Sequence, residues 1–184
     1  MREKPWRRSI RRLLLGALVV VIALSGALFL HARSFDPAVP PRLAQLGSVV
    51  VIRPSGERTA LRDLITPGVP TVVNLWASWC GPCRSEASTI VDLRKRFGTS
   101  RVNLLYLNVR DAASSRGALN AFLSSVGLPQ DGYAVLPDDQ IGRLTGDSDI
   151  HIPRTLVFDR TGNGVASITG YKPAALSRIA GLIA

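Results

Sequence analysis

The 184-residue chain is 46% hydrophobic and 20% charged, and its formal net charge is +10 at pH 7. This composition supplies enough apolar residues for a packed core, which argues against a disordered chain and favours one globular domain with an N-terminal extension. Residues 1–12 carry six basic side chains and one acidic one, which is half of the excess positive charge. Because basic residues directly before an apolar run are a topogenic signal, the charge does not indicate nucleic acid binding.

The apolar run Leu13–Leu30 contains no charged residue and has the length of a short membrane-spanning helix. We expect an uncleaved signal anchor that keeps residues 1–12 in the cytoplasm. The rest of the chain would then lie outside the cytoplasm, on the periplasmic side of the cytoplasmic membrane. A cleaved signal peptide is the alternative, because Ala23, Ser25 and Ala27 resemble the small residues of a cleavage site.

After the anchor, residues 31–42 are predicted to form a tether stiffened by three prolines, and the folded domain is expected at residues 43–184. The patterns first predict a strand at Val49–Ile52, a buried strand at Thr71–Ala77, a turn at Ser78–Pro82, a helix to about Phe97 and a strand at Val102–Val109. They then predict a helix at Ser115–Val126, capped by Ser114 or Ser115, and a short helix that is capped by Asp138 or Asp139 and ends at Leu144. Two further strands, Thr155–Asp159 and Gly164–Thr169, are predicted to form a hairpin. The last predicted element is a helix at Ala174–Ile183, preceded by Pro173. This order indicates an α/β sandwich around a mixed sheet.

The only two cysteines form the motif Cys80-Gly81-Pro82-Cys83, at the predicted junction of a buried strand and a helix. A structural zinc site needs four ligands, usually Cys or His, and the chain has only two histidines, His31 and His151. An inert structural disulfide is disfavoured, because so small a loop restrains the unfolded chain little. The strand–helix context favours the third interpretation, a redox-active pair.

The position of the pair predicts its chemistry. The unpaired N–H groups and the dipole at a helix N-terminus favour an anion, so Cys80, the exposed thiol there, should have a lowered pKa and act as the nucleophile. The thiolate is the attacking species in disulfide exchange. Cys83, one turn further into the helix, is expected to resolve the mixed disulfide that results.

The segment Asn74–Glu86 (NLWASWCGPCRSE) resembles the active-site segment of membrane-anchored thioredoxin-like thiol–disulfide oxidoreductases of the TlpA/ResA/DsbE type. The resemblance extends over about residues 43–184. It implies a thioredoxin-like fold and reduction of client disulfides outside the cytoplasm, with no cofactor besides the Cys80–Cys83 disulfide. The implied clients are cysteines of apocytochrome c or of copper-site assembly proteins. A membrane electron-donor protein would regenerate the dithiol.

Glu86 falls inside the apolar stripe of the predicted helix, together with Ala87 and Ile90. A carboxyl group there should be desolvated, with a raised pKa, and it lies one turn from Cys83. We therefore expect Glu86 to exchange protons with the Cys83 thiol; the alternative is a solvated first-turn glutamate. The resemblance also implies a buried glutamate here. Asn74 stands where cytoplasmic thioredoxin-like reductases have a buried aspartate, and this difference moves the proton-transfer role towards Glu86.

The resemblance further implies that the Ile152–Pro153 bond is cis and that Pro153 faces the cysteine pair. Because proline has no N–H and a fixed φ, the backbone of Ile152 is expected to pair with an extended client segment. Trp79 is expected to form an apolar rim for the client, with Gly81 and Pro82 completing the loop. Trp76 is assigned to core packing.

Two positions depart from the family pattern. Ser88 replaces a proline that kinks the first helix, so we expect a straighter helix. His151 replaces a glycine, and it could tune the Cys80 thiolate, contact a client, bind Cu(I) with both cysteines, or be an ordinary exposed histidine. Two alternative functions follow: a disulfide oxidase or isomerase with the same residues, and a copper chaperone using Cys80, Cys83 and His151.

Overall fold

The computed structural model describes residues 14–25, 42–109, 111, 116–130, 132–146 and 150–183. The chain divides into two structural units, residues 1–36 and 37–184. In the first unit, residues 14–25 form helix α1, whose large apolar side chains are 52–66% exposed. Within the described part of the chain, no helix combines the length and the apolarity needed to cross a membrane. Of the predicted anchor Leu13–Leu30, residue 13 and residues 26–30 lie outside the described ranges, as do residues 1–12 and 31–41.

The second unit is built on a mixed sheet of seven strands in the order β2-β1-β5-β4-β3-β6-β7. These strands are β1 (Val50–Ile52), β2 (Arg58–Ala60), β3 (Thr71–Trp76), β4 (Asn103–Asn108), β5 (Tyr133–Val135), β6 (Arg154–Phe158) and β7 (Gly164–Thr169). The three central strands β3, β4 and β5 are parallel, and β6 pairs antiparallel with both β3 and β7. The predicted mixed sheet and the predicted β6–β7 hairpin are therefore confirmed.

The described residues of this unit form five helices: α2 (Gly81–Arg101), α3 (Arg116–Val126), α4 (Asp138–Thr145), α5 (Pro173–Leu176) and α6 (Ile179–Leu182). Two short 3-10 helices, Leu43–Leu46 and Leu61–Leu64, precede β1 and β3. Inside α2 the only residue with non-helical backbone angles is Gly98, whose φ of +67° suits glycine, so the regular helix ends at Phe97 as predicted. The backbone angles of Ser88 are helical, and the straighter helix expected at this position stays a prediction.

Apolar side chains cover both faces of the sheet, because successive strand residues point to opposite sides. On β3, Val72 and Trp76 join the core cluster that includes residues of α2 and α3. Val73 and Leu75 join a second cluster on the opposite face. By the same alternation, Asn74 lies on the α2 side, between Val72 and Trp76.

Three details differ from the sequence prediction. Strands β2 and β5 were not predicted, since each has three residues and neither shows a readable periodicity. Asp138 and Asp139 lie in the first turn of α4 rather than capping it; Pro137 is the N-cap, and the carboxylates still favour the positive helix end. The C-terminal helix is divided into α5 and α6 at residues 177 and 178, and the Ser177 hydroxyl donates to the Ala174 carbonyl at 3.1 Å there. The predicted caps Ser114 and Ser115 lie outside the described residues.

Candidate active site

The loop between β3 and α2 is a tight turn that presents Cys80 at the end of a helix. The Cys80 N–H donates to the Ala77 carbonyl at 3.1 Å, and Cys80 itself is the N-cap of α2. Pro82 occupies the first turn of the helix, where the missing N–H costs nothing. The predicted strand–turn–helix context of the motif is thus observed.

A carboxylate from the neighbouring loop holds this turn in place. Asp111, three residues beyond β4, accepts the Ser78 backbone N–H at 2.7 Å and the Ser78 hydroxyl at 2.8 Å. The buried amide of Asn108 donates to the same carboxylate at 2.6 Å. Sequence reasoning missed Asp111, although two loops that follow adjacent parallel strands must meet at the same edge of the sheet.

Cys80 and Cys83 are joined by a disulfide, with their Cα atoms 5.3 Å apart. The Cys83 N–H, in the first turn of α2, donates to Cys80 Sγ at 3.2 Å and so points at the sulfur of Cys80. Only 5% of Cys80 and 2% of Cys83 is exposed. The expectation of an exposed Cys80 is therefore wrong for the disulfide form, because both sulfurs belong to the apolar cluster around Trp76.

The two tryptophans near the pair have different environments. Trp76 is fully buried and stacks on Tyr106 and Phe122, with ring centroids 4.8 and 4.5 Å away. Its assignment to the core is confirmed. Trp79 is 64% exposed, and it lies beside Gly81 and Pro82, which are also exposed. These three residues form the accessible surface of the active-site loop.

The Ile152–Pro153 peptide bond is cis, as the family resemblance implied. Ile152 is partly buried and packs against the apolar cluster that contains Cys80 and Cys83. The Pro153 carbonyl accepts the Gly170 N–H at 2.8 Å, which attaches this loop to the end of β7.

Glu86 is buried, and only 1% of it is exposed, so the alternative of a solvated glutamate is excluded. Loss of water raises its pKa from 4.5 to about 7, against smaller lowering effects of hydrogen bonding with Thr155 and the Asn74 amide. The Thr155 hydroxyl donates to Glu86 Oε1 at 2.5 Å. Glu86 Oε2 is buried with no hydrogen-bond partner among the described residues.

Tyr106 is a buried titratable group at this site that sequence reasoning assigned only to a strand. It is the register partner of Asn74 on β4, and its hydroxyl has no hydrogen-bond partner in the described structure. Burial raises the pKa of Tyr106, and the Glu86 charge raises it further. The sequence signal that could have pointed to Tyr106 is a tyrosine on the strand predicted next to β3, at the level of the buried Asn74.

His151 is exposed, two residues before Pro153. Across the residues that the structure describes, no three or more His, Cys, Asp or Glu side chains are grouped so that they could hold a metal ion. The copper site of Cys80, Cys83 and His151 therefore has no geometric support.

A disulfide at the junction of a central parallel strand and a helix, together with a cis-proline bond directly before the neighbouring antiparallel strand, is typical of thioredoxin-like thiol–disulfide oxidoreductases. The sequence profile of the Redoxin family matches residues 48–183, about three quarters of the chain. The chain belongs to the Redoxin family, and it is a thiol–disulfide oxidoreductase.

Individual relatives agree with this assignment. The thiol:disulfide interchange protein HelX of Rhodobacter capsulatus is 28% identical over 156 residues, which cover 83% of this chain and 84% of HelX. The thiol:disulfide interchange protein DsbE of Escherichia coli K12 is 30% identical over 167 residues, with coverage of 84% and 82%. Among solved structures, a thioredoxin-family thiol:disulfide interchange protein from Chlorobium tepidum TLS superposes on this chain with a TM-score of 0.60 at 21% identity. The superposition covers 80% of this chain and 97% of that structure, so the two proteins share the fold.

Proposed function

We propose that this oxidoreductase reduces disulfides of client proteins outside the cytoplasm, with Cys80 as the nucleophile and Cys83 as the resolving thiol. The observation that carries the assignment of roles is the Cys83 N–H directed at Cys80 Sγ. After reduction this amide favours a thiolate at Cys80, the N-cap position of α2. The Gly-Pro pair between the cysteines resembles that of the reducing members of the family.

The exchange proceeds in two balanced steps. The Cys80 thiolate attacks one sulfur of the client disulfide; a mixed disulfide forms, the client S–S bond breaks, and the released client sulfur takes up a proton. Cys83 then loses its proton and attacks Cys80 Sγ. The Cys80–Cys83 bond forms and the second client thiolate leaves, so two electrons have passed to the client.

Glu86 is the proton acceptor for Cys83 in this proposal. A carboxyl group whose pKa lies at about 7 can take and return a proton near neutral pH. Glu86 lies one turn beyond Cys83 on the same side of α2, and both residues are buried. Because both groups are buried, we propose Glu86 rather than bulk water as the base that accepts the Cys83 proton.

Client binding is assigned to the surface around the disulfide. Trp79 supplies an exposed aromatic ring beside Cys80. The backbone of Ile152 offers an edge to which an extended client segment can add, since Pro153 contributes no N–H there. The exposed Gly81 and Pro82 leave room for the approach of a client sulfur.

The proposed location follows from the N-terminal unit. The helix α1 exposes large apolar side chains around its circumference, which suits an apolar surrounding rather than water. The positively charged residues 1–12 favour the cytoplasmic side, and the catalytic domain then lies in the periplasm. The DsbE-type resemblance supports apocytochrome c cysteines, or cysteines of copper-site assembly proteins, as clients. A membrane electron-donor protein would return the electrons.

The direction of the reaction is tested by the reduction potential of the full-length protein, measured by equilibration with a series of glutathione redox buffers. Thioredoxin, a reductant, lies at about −270 mV, and the oxidase DsbA lies at about −120 mV. We expect a value below about −200 mV, on the reducing side of this scale. A value close to that of DsbA would instead support the oxidase alternative.

A further inference from the structure

Three polar side chains form a row across the sheet beneath Glu86. Asn74 on β3 is in register with Tyr106 on β4 and with Thr155 on β6. All three residues are buried, and Glu86 meets this row from helix α2. A buried polar row that contacts a carboxyl group can control the direction of its hydrogen bonds.

The hydrogen bonds in the row have a defined direction. The Asn74 Nδ2 amide group can only donate, and it donates to Thr155 Oγ1 at 2.8 Å. The Thr155 hydroxyl has one hydrogen, and its bond to Glu86 Oε1 at 2.5 Å uses it. Oε1 is therefore an acceptor, and a proton bound to Glu86 has its place on Oε2.

We infer that Thr155 is a positioning residue that holds Glu86 Oε1 as an acceptor, so that Oε2 is the atom that exchanges the proton with Cys83. Oε2 is buried and makes no hydrogen bond within the described residues. This inference deepens the proposed function and rests on it. In the resolving step the Cys83 S–H bond breaks, an O–H bond forms at Oε2, and the electron pair stays on sulfur for the attack on Cys80.

In the part of the chain that the structure describes, few charged or titratable groups act on Glu86. From β4 the Tyr106 phenol interacts with it electrostatically, and Arg84 acts on Tyr106 in the opposite direction. On its own helix the neighbour is Cys83, one turn earlier. The groups that β3 and β6 turn towards it, the Asn74 amide and the Thr155 hydroxyl, do not titrate.

The chain is well suited to a direct test, because it has only three glutamates, Glu3, Glu57 and Glu86. Full-length protein labelled with ¹³C at the glutamate carboxyl groups gives three NMR signals, and the Glu86→Gln variant identifies that of Glu86. Titration in the disulfide form then measures the Glu86 pKa. The variants are Thr155→Val, Thr155→Ala and Thr155→Ser, and the control is Thr169→Val on β7, where the hydroxyl has no partner among described residues.

Removal of a donor to the charged form raises a pKa, so we expect Thr155→Val and Thr155→Ala to raise the Glu86 midpoint by about one to two pH units. Thr155→Ser should restore the original value, and Thr169→Val should leave it unchanged. A midpoint that falls would mean that Glu86 donates to Thr155, and an unchanged midpoint would mean that the contact has no effect. Either result overturns the inference.

A second measurement separates this inference from the proposed function. The rate at which Cys83 resolves a preformed mixed disulfide on Cys80 is recorded against pH in the wild type and in Thr155→Val. If the NMR midpoint rises in the variant and the kinetic midpoint does not, Thr155 positions Glu86 but Glu86 is not the base. A second outcome is possible: the kinetic midpoint of the wild type equals the NMR midpoint of Glu86, but Thr155→Val does not change the NMR midpoint. This outcome would support proton exchange by Glu86 and refute the role of Thr155.

Discussion

The chemistry of this site depends on one carboxyl group that folding removes from water. Glu86 is buried on the core-facing side of α2, and it contacts a polar row that can stabilise its charge. Desolvation is the largest effect on its pKa, and hydrogen bonding offsets only part of it. The result is a group that titrates near neutral pH, which is the range a proton carrier needs.

This titration also predicts how stability depends on pH. The folded protein binds the Glu86 proton more tightly than the unfolded chain, so Glu86 stabilises the fold fully below about pH 4.5, and this contribution is lost as the pH rises to about 7. The difference between the pKa of Glu86 in the unfolded chain and in the folded protein corresponds to about 3 kcal/mol in the free energy of unfolding. We expect Glu86→Gln to abolish this loss, so that the variant is more stable than the wild type at pH 8. Urea unfolding of the disulfide form at pH 5 and at pH 8 measures this change in the free energy of unfolding.

The exposed Glu57 provides the matched control, and Glu57→Gln should leave the pH dependence of the wild type unchanged. If the free energy of unfolding changed equally between pH 5 and pH 8 in the wild type and in Glu86→Gln, this result would contradict the account of a desolvated carboxyl group.

At the scale of the elements, the site lies where the loops after two adjacent parallel strands meet. The Asp111 carboxylate accepts three hydrogen bonds, two from Ser78 and one from Asn108, and so connects the loop after β4 to the turn that carries Cys80. The turn thereby gains a support outside α2 itself.

We expect Asp111→Ala to lower the free energy of unfolding by about 1–3 kcal/mol, because the Ser78 N–H and the Asn108 amide lose a charged acceptor. Urea unfolding of the disulfide form is the measurement. Asp92→Ala is the control: Asp92 is exposed, and its ion pair with Lys95, at 4.0 Å, should contribute little. A loss for Asp111→Ala no larger than that of the control would show that the carboxylate does not support the turn.

The sequence predicted the elements whose patterns are long and regular. The continuous apolar run of β3 and the stripe of α2 marked a buried strand and a core-facing helix, and the position of the cysteines between them indicated their chemistry. The short strands β2 and β5 depend on pairing with neighbours that are distant in the chain, so no local pattern reveals them. The same holds for the contacts of Asp111 and Thr155, which join residues 33 and 69 positions apart.

At the scale of the whole molecule, the second unit has an apolar core of its own. All members of the two apolar clusters among the described residues lie between Leu43 and Ile183. The unit of residues 37–184 therefore contains its own core, with the cysteine pair inside one of the clusters.

Deletion of residues 1–36 should accordingly leave the reduction potential and the urea midpoint of the domain unchanged. We expect the same deletion to move the protein from the membrane fraction to the soluble fraction of the cell, because the basic segment and α1 are lost. Full-length protein found in the soluble fraction, in uncleaved form, would contradict the proposed anchor.

The central claim, that Cys80 attacks and Cys83 resolves, is tested most directly by trapping. Full-length Cys83→Ser and Cys80→Ser variants are expressed in cells, free thiols are blocked with acid and an alkylating agent, and mixed disulfides are separated by non-reducing electrophoresis and identified by mass spectrometry. We predict that Cys83→Ser accumulates client proteins linked through Cys80 and that Cys80→Ser accumulates none. Trapping by Cys80→Ser in place of Cys83→Ser would reverse the two roles and contradict the account.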